Sequence, residues 1–135
     1  MLSKKVKSFF IFYFPILLWM GFIFYLSSIP SLRFGSESIL VEVILRKVAH
    51  LAEYAILTFL IWRLFFIRFK FSFLKSFWLT LGISLLYSIG DEIHQSFVDN
   101  RAGKVFDVLI DLLGILTGFL LVKAAHYLFY SKKIK

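Results

Sequence analysis

Long runs of apolar residues alternate with short polar stretches along this chain of 135 residues. A helix needs about 20 apolar residues to cross the hydrocarbon core of a bilayer, and four runs reach roughly that length. We place these spans at 9–28, 47–66, 71–90 and 106–129. The pattern predicts an all-α protein, an integral membrane four-helix bundle that forms a single domain over residues 1–135.

The stretch from 36 to 46, between the first two spans, has a different pattern. Its apolar residues share one helical face, which carries Ile39, Leu40, Val43 and Ile44. Charged residues occupy other faces, as is typical of a helix that lies in the membrane interface. We therefore predict a short interfacial helix between spans one and two, with an extension of span two as the alternative.

The composition also indicates a membrane protein. The chain is 60% hydrophobic and contains 18 Phe, which is more apolar surface than a soluble domain of this size can cover. Its net charge of +8 does not indicate nucleic-acid binding, because the basic residues stand at the ends of apolar runs, where they meet lipid headgroups. The sequence has no cysteine, which excludes disulfides and thiolate metal sites.

The distribution of charge predicts the orientation of the spans. If the N-terminus is cytoplasmic, 11 of the 16 basic residues lie on the inner side, and the positive-inside rule places both termini there. The eight acidic residues then all lie in outer loops or in the outer parts of spans: Glu37, Glu42, Glu53, Asp91, Glu92, Asp99, Asp107 and Asp111. We therefore expect the polar chemistry at the outer face.

Span two begins with a polar helical face. Lys47, His50 and Tyr54 fall within a narrow arc, and Glu53 flanks it. A carboxylate at the depth of Glu53 is costly unless it faces the bundle and finds a partner. Lys47 alone would fit an interfacial anchor, but the group as a whole favours a functional site.

Span three ends in a second polar group that contains Asp91, Glu92, His94 and Gln95. If the helix continues through Gly90, one of its faces carries Ser84, Ser88, Asp91 and Gln95. The alternative is that the helix ends at Gly90 and the acidic pair lies at its cap.

Span four opens with Asp107 and Asp111, which are neighbours on one helical face. Gly114 and Gly118 continue that face in a GxxxG spacing, which lets helices approach closely in lipid. The aspartates should therefore point into the protein, where their mutual repulsion requires a cation between them or a proton on one of them. The candidate cations are Lys47, Arg101 and Lys104.

Three blocks of residues form a recognisable series. Residues 24–30 read FYLSSIP, and the second block follows the pattern K-x-x-H-x-x-x-Y-x-x-L with Lys47, His50, Tyr54 and Leu57. The third follows D-E-x-x-Q-x-F-x-x-x-R-x-x-x-x-x-D with Asp91, Glu92, Gln95, Phe97, Arg101 and Asp107, and Gly114 lies downstream. In these blocks the chain resembles the VanZ-like family, small bacterial membrane proteins named for a teicoplanin-resistance protein. It departs from the family where Asp99-Asn100 replaces an expected Pro-Gly and Asp111 an expected Asn.

The resemblance implies a four-span protein of the bacterial cytoplasmic membrane whose motif residues act together. Reduced susceptibility to lipoglycopeptides such as teicoplanin is the activity that the family name implies. The candidate site consists of Lys47, His50, Glu53, Tyr54, Asp91, Glu92, Gln95, Arg101, Asp107 and Asp111.

Three hypotheses follow for this site. In the first, it binds or modifies a lipid-linked or cell-wall molecule at the outer leaflet. Lys47 and Arg101 would hold phosphate, and Asp91 or Glu92 would act as general base with a histidine partner, His50 or His94.

The second hypothesis is a metal-assisted enzyme, although the sequence lacks the HExxH order and we predict no resident cofactor. Its nitrogen and oxygen ligands would come from His50, Glu53, Glu92, His94 and Asp107. The third is a non-catalytic bundle that binds a lipid or a partner protein, or that forms a homo-oligomer, with the polar residues as internal glue. Membrane lipids are the expected partners in every case, and nucleic acid in none.

Overall fold

The computed structural model describes residues 3–30, 39–99, 101 and 105–131. Within these ranges the chain is helical apart from short connections, and four helices are long and apolar enough to cross a membrane. The prediction of an all-α membrane protein with four spans is therefore confirmed. Lys104, one of the candidate cations, lies outside the described residues.

The four helices follow one another along the chain. Helix α1 covers Lys4–Ser28 and includes a π-helical turn at Phe9–Tyr13. Helix α2 covers Ile39–Arg63 and continues as a π-helical turn at Leu64–Arg68. Helix α3 covers Phe73–Gln95, and helix α4 covers Val105–Ser131.

A separate interfacial helix before span two is not found in the described part of the chain. Residues 39–46 form the first two turns of α2 instead, which corresponds to the extension alternative, while residues 36–38 lie outside the described ranges. No glycine or proline interrupts Ile39–Arg63, so nothing in the sequence breaks the helix there.

Successive helices run in opposite directions, so the bundle has two chemically different ends. At one end α1 and α3 finish while α2 and α4 begin; we call it the polar end and define it as residues 24–30, 46–54, 87–99, 101 and 105–111. The opposite end, which we call the basic end, comprises residues 4–13, 62–75 and 119–127. Arg63 there donates a hydrogen bond to the carbonyl oxygen of Ile11, and Arg68 Nε donates one to Ser8 Oγ at 2.8 Å.

A close helix contact joins α2 to α4 through the two glycines of the GxxxG spacing. A Cβ atom added to Gly114 would lie 2.6 Å from the carbonyl oxygen of Leu51, and one added to Gly118 would lie 2.7 Å from that of Ala55. The predicted packed face of α4 is therefore confirmed. Because Asp111 lies one turn before Gly114 on this face, the contact carries it toward α2.

Helix α1 is joined to the other helices by side chains that bond to backbone carbonyls. Trp19 Nε1 donates a hydrogen bond to the carbonyl oxygen of Glu53 on α2 at 2.9 Å. The hydroxyl of Tyr87 on α3 donates to the carbonyl oxygen of Met20 at 2.6 Å. Both bonds lie at the inner margin of the polar end and fix the position of α1 there.

Candidate functional site

All ten predicted site residues lie at the polar end, in two layers. Seven are buried in the interior of the bundle: His50, Glu53, Tyr54, Asp91, Glu92, Gln95 and Asp111. Lys47, Arg101 and Asp107 are only partly buried and form a rim around them. The inner layer contains four carboxylates that each expose less than a tenth of their surface. Carboxylates so deep in a membrane protein require partners.

The acidic pair of span three lies on a continuous helix, because α3 passes through Gly90 and ends at Gln95. The alternative in which the helix stops at Gly90 is therefore wrong. Asp91 and Gln95 then share a buried face with Ser84 and Ser88, as the helical spacing predicted. Glycine inside a helix costs only about 1 kcal/mol relative to alanine, which the surrounding helix can absorb.

Asp111 joins three helices at the centre of the site. His50 Nδ1 on α2 lies 3.0 Å from Asp111 Oδ1, and Ser88 Oγ on α3 donates a hydrogen bond to Asp111 Oδ2 at 2.6 Å. The proton of this hydrogen bond lies between His50 Nδ1 and Asp111 Oδ1, while His50 Nε2 is not part of it. Asp111 therefore fixes the orientation of the His50 ring.

A second network holds Asp91 against the end of α1. Asp91 Oδ2 accepts hydrogen bonds from Ser27 Oγ at 2.8 Å and from Gln95 Nε2 at 2.9 Å, and Gln95 Nε2 also donates to Ser27 Oγ at 3.2 Å. Asp91 Oδ1 has no hydrogen-bond partner among the described residues. One oxygen of Asp91 thus fastens α1 to α3, while the other is buried without a bond among the described residues.

His94 lies at the rim rather than beside the buried carboxylates. Ser28 Oγ donates its one proton to the carbonyl oxygen of Phe24 at 2.7 Å and lies 3.0 Å from His94 Nε2, so His94 Nε2 donates to Ser28. The Phe24 ring stacks on the imidazole with centroids 4.3 Å apart. The structure therefore favours His50 over His94 as the histidine of the site.

The two aspartates of span four have separate partners, although they share a helical face. Lys47 Nζ lies 3.8 Å from Asp107 Oδ1, and these side chains are 38% and 29% exposed, whereas the Asp111 side chain is fully buried against His50. No single cation is shared between the aspartates in the described part of the site. Repulsion is relieved because Asp107 faces the rim and Asp111 faces the interior.

Arg101 closes the rim on the side of α1, where its Nη2 donates a hydrogen bond to the carbonyl oxygen of Leu26 at 3.1 Å. Burial lowers the pKa of Arg101 from its usual value, and the neighbouring charge of Arg46 lowers it further. Asp91, Glu53 and Glu92 oppose that effect because their negative charges favour the cation. An arginine remains protonated at neutral pH, so the rim carries a fixed positive charge.

Tyr54 is fully buried beneath His50, and the centroids of the two rings are 6.4 Å apart. Its hydroxyl has no hydrogen-bond partner in the described ranges of the chain. The charges of Asp91, Asp111 and Glu53 all act on that hydroxyl. Tyr54 therefore brings an unused donor close to the acidic group.

Two serines that bond to the buried aspartates, Ser27 and Ser88, were not among the predicted site residues. Ser88 had a signal in the sequence, because it shares the helical face of Asp91 and Gln95. Ser27 had none beyond its place in the first family block. Its role depends on how α1 packs against α3, which helical periodicity within one segment does not reveal.

One group of side chains has the composition of a metal site. His50, Glu92 and Asp111 each offer a ligand atom, and these atoms all lie within 4.8 Å of one another. Glu53, His94 and Asp107, which the metal hypothesis also included, are not in this group as the structure describes it. Asp111 was absent from that hypothesis and takes the place assigned to Asp107, because only Asp111 faces α2 and α3.

The three-block resemblance extends over nearly the whole chain. No curated protein and no solved structure matches the chain significantly. The model of the VanZ/LLP1 family matches residues 10–129, which include all ten candidate site residues and a part of each helix. The chain therefore belongs to the VanZ/LLP1 family.

Proposed function

We propose that this protein acts at the outer face of the bacterial cytoplasmic membrane, where it binds or modifies a lipid-linked or cell-wall molecule. The observation that carries the proposal is the arrangement of the polar end. A buried network of histidine and carboxylates lies inside the bundle, and two cationic side chains, Lys47 and Arg101, border it. Buried ionisable groups in membrane helices are costly and usually serve function.

The orientation part of the proposal follows from the basic end. Within the described residues, that end carries Arg63, Arg68, Lys70, Lys75 and Lys123, in addition to the lysines at the start of α1. The positive-inside rule favours such an end in the cytoplasm. The polar end then faces outward, where envelope molecules are presented to the cell wall.

The substrate class follows from the rim charges and from the thinness of the bundle. Envelope precursors that are linked to lipid carry phosphate between the apolar tail and the polar head. Lys47 and Arg101 suit phosphate, and arginine can bind it through two parallel hydrogen bonds. Because four helices enclose little volume, we expect the lipid tail to stay in the bilayer while the headgroup reaches the site from the side.

The same residues supply candidates for proton transfer. His50 is oriented by Asp111 through Nδ1, which leaves Nε2 to accept or donate a proton. Glu92 is buried next to this pair and is the second candidate base. Lower susceptibility to teicoplanin would follow if the modified molecule is one on which such a drug depends.

The proposal is tested in a strain that lacks the protein. Rescue by the wild type is compared with rescue by Glu92→Gln, which keeps the side-chain size, and by Lys123→Gln at the basic end as the matched control. We expect the wild type and Lys123→Gln to return the envelope lipids, the muropeptides and the teicoplanin susceptibility to the levels of the parent strain. Glu92→Gln should fail to do so. Full rescue by Glu92→Gln at equal protein level would contradict the proposal.

Orientation is tested separately, because the chain has no native cysteine. Asp99→Cys at the polar end and Lys70→Cys at the basic end each introduce one thiol at an exposed position. A membrane-impermeant maleimide added to intact spheroplasts should label Asp99→Cys and not Lys70→Cys. The reverse pattern would place the site in the cytoplasm and exclude an action at the outer face.

A non-catalytic bundle is the second candidate, and the Asp91 network favours it. Ser27, Asp91 and Gln95 bond to one another across α1 and α3, as expected of internal polar glue. This alternative expects Glu92→Gln to change stability without changing envelope chemistry. The rescue experiment therefore separates the two candidates when the melting temperature of each variant is measured alongside.

A further inference from the structure

We propose that the polar end binds a divalent metal ion between His50, Glu92 and Asp111. The ligand atoms of these residues lie within 4.8 Å of one another, and all three side chains are buried. Two atoms that bind one zinc ion, each about 2.0–2.2 Å from it, lie roughly 3–4 Å apart. His50 Nδ1 and Asp111 Oδ1, at 3.0 Å, have such a separation, and the ion would replace the proton of their hydrogen bond.

The three ligands come from three different helices. His50 belongs to α2, Glu92 to α3 and Asp111 to α4. The glycine contact between α2 and α4 fixes the approach of the first and third ligands. Ligands on packed helices hold a more precise geometry than ligands on loops. Such precision suits a metal site, because the geometry of the ligands determines which metal the site prefers.

The charge of the inner layer favours a cation there. Glu53, Asp91, Glu92 and Asp111 are all buried at the polar end, whereas Lys47 and Arg101 lie at its rim. Buried like charges repel strongly, because the surroundings screen them poorly. A doubly charged ion between Glu92 and Asp111 would neutralise two carboxylates at the centre of the group.

Two unpartnered polar atoms beside the three ligands are a second observation in favour of a bound ligand. Tyr54 Oη and Asp91 Oδ1 belong to side chains that are more than nine-tenths buried, and neither has a hydrogen-bond partner among the described residues. Tyr54 lies one turn below His50 on α2, with ring centroids 6.4 Å apart, and Asp91 directly precedes Glu92 on α3. Buried polar atoms are nearly always bonded. Water molecules on a metal ion would supply partners for both.

The ligand set indicates the class of metal. Calcium and magnesium prefer sites made only of oxygen, whereas an imidazole beside carboxylates suits zinc and manganese. Three protein ligands leave an open position on such an ion. We therefore infer a zinc-class ion with a position open to water or to a ligand.

The ion also explains how the site could bind phosphate, and this step rests on the proposed function. A phosphate that approaches Lys47 and Arg101 would meet four buried carboxylates unless a cation screens them. A divalent ion would screen them and bind a phosphate oxygen at its open position. Binding of the ion itself depends only on the three side chains.

The test uses the full chain, purified in detergent, stripped with EDTA and dialysed against zinc or manganese chloride. Bound metal is measured by mass spectrometry and the affinity by calorimetry. We expect one ion per chain in the wild type, and affinity at least tenfold weaker in His50→Ala and Asp111→Asn. His126→Ala removes a histidine at the basic end and should bind like the wild type.

Glu92→Gln keeps the volume of its side chain and serves if the other variants do not fold. Zinc should raise the melting temperature of the wild type and of His126→Ala but not that of Glu92→Gln, since an ion stabilises only the state that binds it. Absence of a stoichiometric ion in the wild type, or equal binding by Glu92→Gln, would overturn the inference. Metal binding without any envelope phenotype would instead overturn the proposed function and leave the metal site standing.

Discussion

The polar end and the basic end differ in whether their charged side chains are buried or exposed. At the polar end, Asp111 is fully buried and bonded to His50 and Ser88. At the basic end, Lys75 and Lys123 are exposed, and Lys75 Nζ lies 4.0 Å from the centroid of the Phe71 ring. The same four helices therefore bury four carboxylates at one end and leave these lysines exposed at the other.

The difference follows from the lengths of the side chains. Lysine and arginine have long apolar stems that carry the charge along the helix to the membrane surface. Aspartate and glutamate are too short to reach it from within a span, so they require partners inside the protein. Acidic residues within spans are for this reason better indicators of a site than basic residues near the ends of spans.

Removal of His50 should have the largest effect on stability. His50→Ala leaves the buried carboxylate of Asp111 without its imidazole, which should cost about 3 kcal/mol or more. Lys123→Ala, at an exposed position of the basic end, should stay within about 0.5 kcal/mol. Melting curves in detergent measure both. The double variant His50→Ala/Asp111→Leu should regain part of the loss, and a strictly additive loss would contradict this account of the pair.

Disruption of the α2–α4 contact should have the next largest effect on stability. Gly114→Ala places a methyl group 2.6 Å from the carbonyl oxygen of Leu51, so the two helices must separate, at a cost of about 2–3 kcal/mol. Gly82→Ala adds the same group where nothing lies within 4 Å, and it should be neutral or slightly stabilising. The yield of monodisperse protein after extraction and its melting temperature compare the two. Equal behaviour would show that the contact does not hold the site together.

Two buried serines on α3, Ser84 and Ser88, provide a more closely matched pair of variants. Ser88→Ala removes the 2.6 Å hydrogen bond to Asp111 and should cost about 1.5–2 kcal/mol, in the lower part of the range for a bond to a charged group. Ser84 lies one turn earlier, is equally buried, and its hydroxyl has no partner in the described structure, so Ser84→Ala should be neutral or stabilising. Chemical or thermal unfolding of the two variants provides the measurement. A larger loss for Ser84→Ala would reverse the assignment.

Removal of the ion pair at the rim should have the smallest effect on stability. Lys47→Ala breaks an ion pair of 3.8 Å with Asp107 whose side chains are both partly exposed, and this should cost at most about 1 kcal/mol. The loss should shrink at high salt because exposed pairs are screened. The His50→Ala loss should change much less with salt. Stability measured at two salt concentrations checks the contrast, and a Lys47→Ala loss as large as that of His50→Ala would remove the distinction between rim and interior.

Much of this architecture was predictable because it depends on local properties of the chain. The length of an apolar run predicts a span, and helical spacing predicted that Asp91 and Gln95 share a face with Ser88. Helix ends were harder to predict, since α2 starts at Ile39 and α3 continues to Gln95, beyond the apolar runs. Polar residues can continue a helix past the membrane core, so hydropathy marks the span and not the helix.

The sequence by itself determined that the polar residues of spans two, three and four lie at the same end of the four helices, because successive membrane spans alternate in direction. Only the tertiary structure decided which residues pair. Asp107 and Asp111 are equivalent on a helical face, yet the approach of α4 to α2 pairs one with Lys47 at the rim and the other with His50 in the interior. Partner choice depends on the rotation and spacing of packed helices, and these are set by contacts between segments that are distant in the chain.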